Sequence, residues 1–165
     1  MAQQRFMRRG ITKIYWLKAV ADVGLVPTRA ELTAPNAFDL TETISEVDGW
    51  SLTNEAIETP DMASTFASSI PGNDKADNSS LTFYEDRTSD AIETLLPKGV
   101  LGHVVFLRKG DTPGSKSMDA FPVQVASRAA EYNAGNEPAK FKVTFTISSP
   151  PALDAAVPAA AAGGK

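Results

Sequence analysis

The chain has 165 residues, enough for one domain with a substantial core, and its formal net charge of −4 argues against a general nucleic-acid binder. It has no cysteine and one histidine, which excludes disulfides, thiolate metal sites and most histidine-based catalytic pairs. No stretch is long and apolar enough to span a membrane.

The first residues predict an exposed extension followed by a strand. Residues 1 to 11 are polar and basic, as mobile N-terminal arms are. We do not expect an export signal, because charged residues interrupt the apolar patch after Arg9 and no small-residue cleavage site follows. Residues 12 to 20 are rich in aromatic and β-branched side chains and predict the first strand.

The next part of the chain predicts a long connection and a hairpin. Residues 21 to 39 contain glycine and prolines, and we expect a loop with a short extended piece near Arg29 to Thr33. Residues 40 to 47 predict a strand with a polar face, and Asp48-Gly49 is a strong turn dipeptide. Residues 50 to 57 would then form the returning strand of an acidic hairpin.

Two shorter segments follow. Residues 64 to 70 predict a short strand that ends at Pro71-Gly72. Residues 73 to 80 are polar and small, so they predict a mobile loop.

The most informative stretch combines a strand, a helix and a second strand between Leu81 and Lys109. Residues 81 to 84 are β-branched and aromatic, as in strands. Residues 91 to 96 carry apolar side chains at helical spacing, after hydroxyl and acidic residues that favour a helix start. Residues 100 to 107 are almost continuously apolar, which indicates a strand buried on both faces. We therefore predict one helix packed on a sheet in an otherwise β protein.

The last strands precede a biased C-terminal segment. Residues 118 to 130 predict a strand around Phe121, and residues 141 to 147 alternate cleanly between apolar and polar side chains. Residues 151 to 165 are mostly Ala, Pro and Gly and predict a disordered tail. The predicted organisation is an N-terminal arm (1–11), a β domain (12–150) and this tail (151–165).

Charge is distributed unevenly along the chain. Residues 1 to 29 hold six basic side chains and one acidic one, whereas residues 30 to 74 hold nine acidic side chains and no basic one. Solvated acidic strands and loops would explain this pattern. Alternatively, a basic arm docks on an acidic surface of a neighbouring copy, or the acidic surface repels polyanions such as DNA.

Nothing in the sequence indicates catalysis. Metal-binding and phosphate-loop motifs are absent, and pairs of carboxylates such as Glu55 and Glu58 are expected by chance among twenty acidic residues. His103 lies inside the apolar run, where we expect a core residue or an interface contact. We therefore expect no enzyme activity, no cofactor and no metal site.

The order of local segments resembles that of major tail tube proteins of long-tailed, non-contractile bacteriophages. The similarity is carried, in sequence order, by VDGW, ETPDM, SSIPG, SSLTFYED, LLPKGVLGHVVFLRKGD, FPVQV and FKVTFTIS. It implies a mainly β fold: a β-sandwich or half-barrel of the tail-tube type, with one flanking α-helix and extended N- and C-terminal arms.

The resemblance also implies an assembly. Six copies would close into a ring by joining sheets edge to edge, and rings would stack through the N-terminal arm, a long loop and the C-terminal segment. The lumen would be acidic and would pass DNA into the host without specific binding. Partners would be further copies, a tape measure protein, a tail terminator and tail-tip proteins, in the virion tail after assembly and the host cytoplasm before it.

Site residues are expected on two surfaces. The lumen-lining candidates are acidic residues of the predicted hairpin, namely Glu42, Glu46, Glu55 and Glu58. The ring-stacking candidates are Arg5, Arg8, Arg9, Asn73, Asp74, Lys75 and Asp77. The helix would lie on the outer flank. The alternatives are a related ring protein, either a tail terminator or a secretion-system tube, and a small-ligand-binding β-barrel.

Overall fold

The computed structural model describes residues 1 to 160, which are built mainly of β-strands. The strands are β1 (Lys13–Leu17), β2 (Phe38–Asp39), β3 (Ile44–Asp48), β4 (Leu52–Asn54), β5 (Ile57–Thr59), β6 (Ser68–Ile70), β7 (Asp74–Ala76), β8 (Ser79–Tyr84), β9 (Leu101–Leu107), β10 (Lys116–Glu131), β11 (Lys140–Ile147) and β12 (Ala152–Ala156). The helices are α1 (Arg29–Thr33) and α2 (Ala91–Leu95). The mainly β class is confirmed, with two short helices where one was expected.

Strand β10 is the centre of an open antiparallel sheet with the order β2-β1-β9-β10-β11-β8-β3. β9 pairs with the first half of β10, and β11 pairs with its second half. The register shifts between Val125 and Ser127, and such a bulge bends a strand. One long strand therefore carries both parts of the sheet, with β2 and β3 at its two edges.

The main core lies on the inner face of this bent sheet. It contains the following buried side chains: Ile14, Trp16, Leu40, Leu81, Phe83, Leu96, Val104, Phe106, Phe121, Val123, Val125, Phe141, Val143 and Phe145. The half-buried Trp50 packs against them, with its ring 5.0 Å from that of Phe106 and 5.2 Å from that of Phe121. Its indole N–H donates to the Ser80 carbonyl at 3.2 Å, so both the ring and its polar atom are satisfied.

A second core covers the opposite face of β1, β9 and β10. Leu32 of α1 and Val157 of the C-terminal segment pack there on Val105 and Leu107. Alternate residues of β9 face the main core and this second core, so Val104 to Leu107 are buried on both sides, whereas Leu101 is 64% exposed. The predicted strand is thus confirmed, and its burial on both faces holds for its second half.

The segment from Arg29 to Thr33, predicted to be extended, is helix α1. Its N-terminus is a capping box: the Thr28 hydroxyl accepts from the Glu31 N–H, and the Glu31 carboxylate accepts from the Thr28 N–H at 2.7 Å. These bonds satisfy amides that would otherwise lack partners at a helix start. The Thr-x-x-Glu spacing was visible in the sequence, so the signal was present but missed.

The helix predicted within residues 81 to 109 is α2. Ile92 and Leu95 pack on the main core, and Leu96, just after the helix, is fully buried. Both helices are five residues long, and no helix within residues 1 to 160 could cross a membrane.

The prediction of a disordered tail from residue 151 onward is wrong for residues 152 to 157. Strand β12 pairs with the start of β10, and Val157 is 2% exposed in the second core. The pairing uses backbone groups, so the alanine-rich composition did not prevent it. The last five residues of the predicted tail, 161 to 165, lie outside the described part of the chain.

Arg29 fastens this C-terminal segment to the body. Its guanidinium donates to both carboxylate oxygens of Asp111 at 2.7 Å, and to the carbonyls of Pro158 and Ala159. The hydrogen bonds from Arg29 hold the pKa of Asp111 below its usual value. Such a planar, bidentate pair fixes orientation as well as charge, and it locks residues 157 to 159 in place.

The predicted hairpin with a turn at Asp48-Gly49 is also wrong. β3 pairs with β8, and the chain turns sharply at Gly49 and Trp50, both of which have positive φ. The Trp50 side chain enters the core at this point, and the backbone N–H of Trp50 donates to the Ser79 hydroxyl at 2.9 Å. The following segment therefore leaves the sheet instead of returning along β3.

We predict that Gly102→Ala destabilises the fold by about 1–3 kcal/mol, the usual cost of overpacking a core. A Cβ at this buried position in β9 would lie 2.3 Å from the Trp16 ring and 2.9 Å from the Leu17 carbonyl oxygen. Urea denaturation of the monomer measures the loss. The control is Gly135→Ala, which would meet only the side chain of Asn133; an unchanged midpoint for Gly102→Ala would contradict this packing.

Candidate assembly surfaces

Four strand segments form one part of the sheet with a polar outer side. In β3, β8, β11 and the second half of β10, one set of side chains points into the main core and the alternate set points away from it. We call the second set the polar face; in order across the strands, its two central rows are Glu46, Thr82, Lys142 and Ala129, and Asp48, Ser80, Thr144 and Ser127. Helix α2 packs on the opposite, core side.

Charges of both signs lie on the polar face. Lys140 is opposite Tyr84 in the register, and its ammonium group lies 5.9 Å from the centre of that ring. The same ammonium is 3.8 Å from a carboxylate oxygen of Glu46 on β3. The acidic groups on the polar face are Glu46, Asp48 and Glu131, and the basic groups are Lys140 and Lys142 of β11. The polar face is therefore only weakly acidic.

Both edges of this four-stranded part are open. Within residues 1 to 160, β3 pairs on one side only, with β8, and residues 126 to 131 of β10 pair on one side only, with β11. Val47 is 48% exposed on β3, although its register partner Leu81 is fully buried. The edge thus presents backbone groups and an uncovered end of the core, which together form a template for another strand.

A two-stranded ribbon projects from the sheet between β3 and β8. β4 pairs with β7, and β5 pairs with β6, so residues 52 to 76 form one antiparallel hairpin that we call the extended hairpin. The predicted mobile loop at residues 73 to 80 is therefore wrong, since it contains β7 and the buried start of β8. The turn of the extended hairpin lies at residues 60 to 67, whereas the sequence predicted a hairpin turn at Asp48-Gly49.

The two halves of the extended hairpin are joined by a compact irregular step. The Glu55 N–H donates to the Asn73 carbonyl at 2.9 Å, and the Asn54 side chain bonds both the N–H and the carbonyl of Gly72. A Cβ on Gly72 would lie 2.1 Å from the Glu55 carbonyl oxygen. Only glycine fits at this position.

The extended hairpin has almost no core of its own. Ile57 and Ile70 face each other across the strands and are about half exposed, while Phe66 and Met62 near its turn are 76% and 104% exposed. A lone two-stranded ribbon is marginally stable in water. Its exposed apolar side chains form a patch of the kind that occurs at protein–protein interfaces.

The lumen candidates do not lie on one surface. Glu46 lies in β3 on the polar face, and Glu42 precedes that strand; Glu55 and Glu58 belong to the extended hairpin. All four are exposed. Asp48, which sequence analysis did not select, shares the polar face with Glu46. The alternation of β3 from residue 44 could have identified it if the partner of β3 had been known.

The stacking candidates lie on two exposed segments. Asn73, Asp74, Lys75 and Asp77 lie on the return strand of the extended hairpin or at its base. Arg5, Arg8 and Arg9 lie in residues 1 to 10, which are exposed and form neither helix nor strand. A turn ends this arm, where the N–H groups of Ile11 and Thr12 donate to the Arg8 carbonyl.

The pKa values of His103 and Glu31 are shifted by burial and by hydrogen bonds within the fold. Burial lowers the pKa of His103, whose Nδ1 is buried without a hydrogen-bond partner among the described residues. Backbone hydrogen bonds from Thr28 and Ala21 lower the pKa of Glu31, which caps α1. No cluster of three potential metal ligands occurs within residues 1 to 160.

Comparison with known proteins gives one family and several similar folds. The family model described as "Phage tail tube protein" matches residues 1 to 160. No curated protein sequence matches the chain.

Three solved structures share the fold. A chain of the anti-feeding prophage baseplate is 11% identical with a TM-score of 0.60, over 90% of this chain and 95% of that one. A chain of the sheath/tube terminator of an extracellular contractile injection system is 13% identical, with a TM-score of 0.57 over 90% and 96%. A chain from the tail of an empty GTA particle is 8% identical, with a TM-score of 0.55 over 91% and 98%. At these identities the likeness concerns the fold alone.

We predict that Gly72→Ala disrupts the extended hairpin and leaves the body folded, because the new Cβ would collide with the Glu55 carbonyl. Limited proteolysis should then cut faster within residues 52 to 76, while the urea midpoint of the body shifts little. Gly135→Ala is again the control. Unchanged cleavage in the Gly72→Ala variant would show that the extended hairpin folds without the irregular step between its two halves.

Proposed function

Because the chain belongs to the phage tail tube protein family, we propose that its copies close into rings that stack as the tube of the tail. The observation that carries the proposal is the pair of open edges on the polar-faced part of the sheet. A structural role of this kind needs no chemistry from the chain, and the proposal includes no enzyme activity.

Ring closure is proposed to join β3 of one copy to residues 126 to 131 of β10 in the next. Such a contact uses two different surfaces, so rotation about an axis generates a closed ring. The four strands β3, β8, β11 and β10 alternate in direction, so β3 and β10 are antiparallel. Rotation preserves directions, and each junction is therefore antiparallel too, giving one continuous barrel without edges.

We propose six copies per ring. Two of the structures that share the fold are described as 6-fold symmetrised or as having C6 symmetry, which supports the number. Four strands from each copy would make a barrel whose strands lie about 4.8 Å apart, with a circumference of about 115 Å and a backbone diameter of about 37 Å. A lumen of this width has room for a DNA duplex.

The polar face is proposed to line the lumen, since the opposite face is filled by the main core. Glu46 and Asp48 would then lie beside the passing DNA, with Lys140 and Lys142 as partial counterions. A weakly acidic wall repels phosphates without holding them, and DNA would pass without specific binding. Helix α2 would lie outside this barrel.

The finer details of the tail come from the sequence resemblance. We propose a non-contractile tail and partners of the tape measure, terminator and tail-tip kinds, with the subunit in the host cytoplasm before assembly. One similar structure belongs to a contractile injection system by its description, so the fold occurs in both settings. A sheath around the tube in micrographs of the virion would contradict the non-contractile part.

The alternatives are less well supported. A chain of a structure described as a sheath/tube terminator shares the fold, but the matched family is that of tube proteins. A terminator would give single rings, whereas a tube protein gives filaments. A small-ligand barrel needs an apolar cavity, and here Trp50, Phe106 and Phe121 fill the interior.

We predict that Val47→Glu abolishes rings and tubes but leaves the monomer folded. The side chain is half exposed on the edge strand, so its replacement should change unfolding free energy by no more than about 0.5 kcal/mol. In the ring it would bury a charge against the next copy. Sedimentation velocity and negative-stain electron microscopy measure assembly.

The matched control is Val23→Glu, an equally apolar side chain that is 99% exposed in a loop. This variant should form tubes as the wild type does. Normal tubes from Val47→Glu would exclude β3 as the ring edge.

We also predict that the double variant Glu46→Lys with Asp48→Lys assembles into tubes but ejects DNA several-fold more slowly. Lysines on the polar face would bind phosphates, and the delay should shrink as salt is raised. DNA release from reconstituted particles gives the rate. Glu85→Lys with Asp90→Lys, in the segment between β8 and α2, changes net charge equally and should not slow ejection; a slowdown there, or none in the first variant, would contradict the lumen assignment.

A further inference from the structure

We infer that the two edges proposed to join in the ring pair in one register only, with Val47 of one copy opposite Arg128 of the next. Asp48 then lies opposite Ser127. This inference rests on the proposed function, which joins the two edges but leaves open how far one strand is shifted along the other. Two features of this chain fix the shift: a stop at one end of the open edge of β10, and a carboxylate at its other end.

The open edge of β10 is a slot that is closed at one end. Residues 126 to 131 are free on this side, but Val125 is not, because its N–H donates to the Val100 carbonyl at 2.9 Å and its carbonyl accepts from the Gly99 N–H at 2.8 Å. At about 3.4 Å per residue, the free stretch spans about 20 Å and β3 needs about 17 Å. The strand of the next copy therefore fits with almost no room to slide.

The two faces of the sheet exclude a shift by one residue. On β3, Val47 lies on the core side opposite the buried Leu81, and Asp48 lies on the polar face. On β10, Arg128 is opposite the buried Val143 and is therefore on the core side. A shift by one residue would move Val47 to the polar face and turn a carboxylate toward the core, where a buried charge is costly.

The next register toward β9 is blocked by the stop. It would place Val47 opposite Val125, whose backbone groups on this side are already bonded to Gly99 and Val100. In the inferred register, the end of β3 at Asp48 reaches the stop without displacing these bonds.

The next register in the opposite direction is disfavoured by charge. It would place Val47 opposite Ala130 and Glu46 opposite Glu131, and like charges directly opposite each other destabilise a strand pair. It would also leave part of the slot unpaired. In the inferred register Glu46 lies opposite Ala129, so Glu131 opposes the slipped register without disturbing the inferred one.

The inferred register also covers the exposed end of the core. Val47 is 48% exposed, and Arg128 and Ala130 are exposed on the core side of β10. The Arg128 guanidinium donates to the Glu93 carbonyl of α2 at 2.6 Å, so the stem of this side chain runs from the strand to the helix. Val47 of the next copy would pack on that apolar stem.

The test uses pairs of introduced cysteines, because the chain has none of its own. The pair Asp48→Cys with Ser127→Cys reports the inferred register, and the pair Asp48→Cys with Ala129→Cys reports the slipped one. All three positions lie on the polar face. Within one copy, β3 and β10 are three strand-to-strand steps apart, about 14 Å, which is too far for a disulfide inside one molecule.

Under mild oxidation of assembled protein, the pair with Ser127→Cys should link neighbouring copies and give a ladder of covalent oligomers on non-reducing gels. Residues directly opposite each other in antiparallel strands have Cα atoms about 4.5–5.5 Å apart, which a disulfide can bridge. Diagonal neighbours are about 7–8 Å apart, so the pair with Ala129→Cys should give at least about tenfold less product.

The outcomes separate this inference from the ring proposal. A ladder from the pair with Ala129→Cys, and none from the pair with Ser127→Cys, would overturn the register and leave the joined edges intact. Tubes that give a ladder from neither pair would overturn both. Wild-type protein that stays monomeric under all conditions would overturn the proposed function and the register with it.

A further variant tests the carboxylate directly. Adding Glu131→Lys to the pair with Ala129→Cys should raise the yield of its disulfide several-fold, because an opposite charge would then face Glu46 in the slipped register. The matched control is Glu137→Lys, the same charge change at an exposed position beyond the end of β10, which should leave the yield unchanged. An unchanged yield with Glu131→Lys would show that this carboxylate does not oppose the slip.

Discussion

The structure depends on one constraint: an antiparallel sheet that is not closed leaves backbone donors and acceptors at both edges. In the polar-faced part of the sheet the open edges are β3 and the second half of β10, and Val47 leaves part of the core uncovered at one of them. An isolated molecule can only solvate these groups. In the proposed ring, joining copies of the same chain would satisfy them with the hydrogen bonds that the sheet already uses.

Several elements could be predicted from the sequence because their side chains report their surroundings directly. The alternation from Phe141 to Ile147 and the continuous apolar run from residue 100 to 107 correspond to β11 and β9. Such strands are buried on defined faces, and the positions of their apolar side chains therefore show which faces are buried. His103 lies in β9, within the apolar run as expected, and burial lowers its pKa.

Pairing partners could not be read in the same way. Asp48-Gly49 has the composition of a hairpin turn, but the burial of Trp50 outweighs it and sends β3 to β8 instead. Strand β12 is held by backbone bonds and by Arg29, neither of which leaves a periodic signal in an alanine-rich segment. The acidic candidates were separated for the same reason, since their grouping assumed a hairpin that does not form.

The even number of strands that each copy brings to the proposed barrel has a consequence for its size. Because direction alternates correctly at every junction, hydrogen-bond geometry alone would accept five, six or seven copies with equal ease. The count must then be encoded as an angle between neighbours. A bulge bends a strand, and β10 has one between Val125 and Ser127. The bend at this bulge would set the angle between neighbouring copies, and with it the number of copies in the ring.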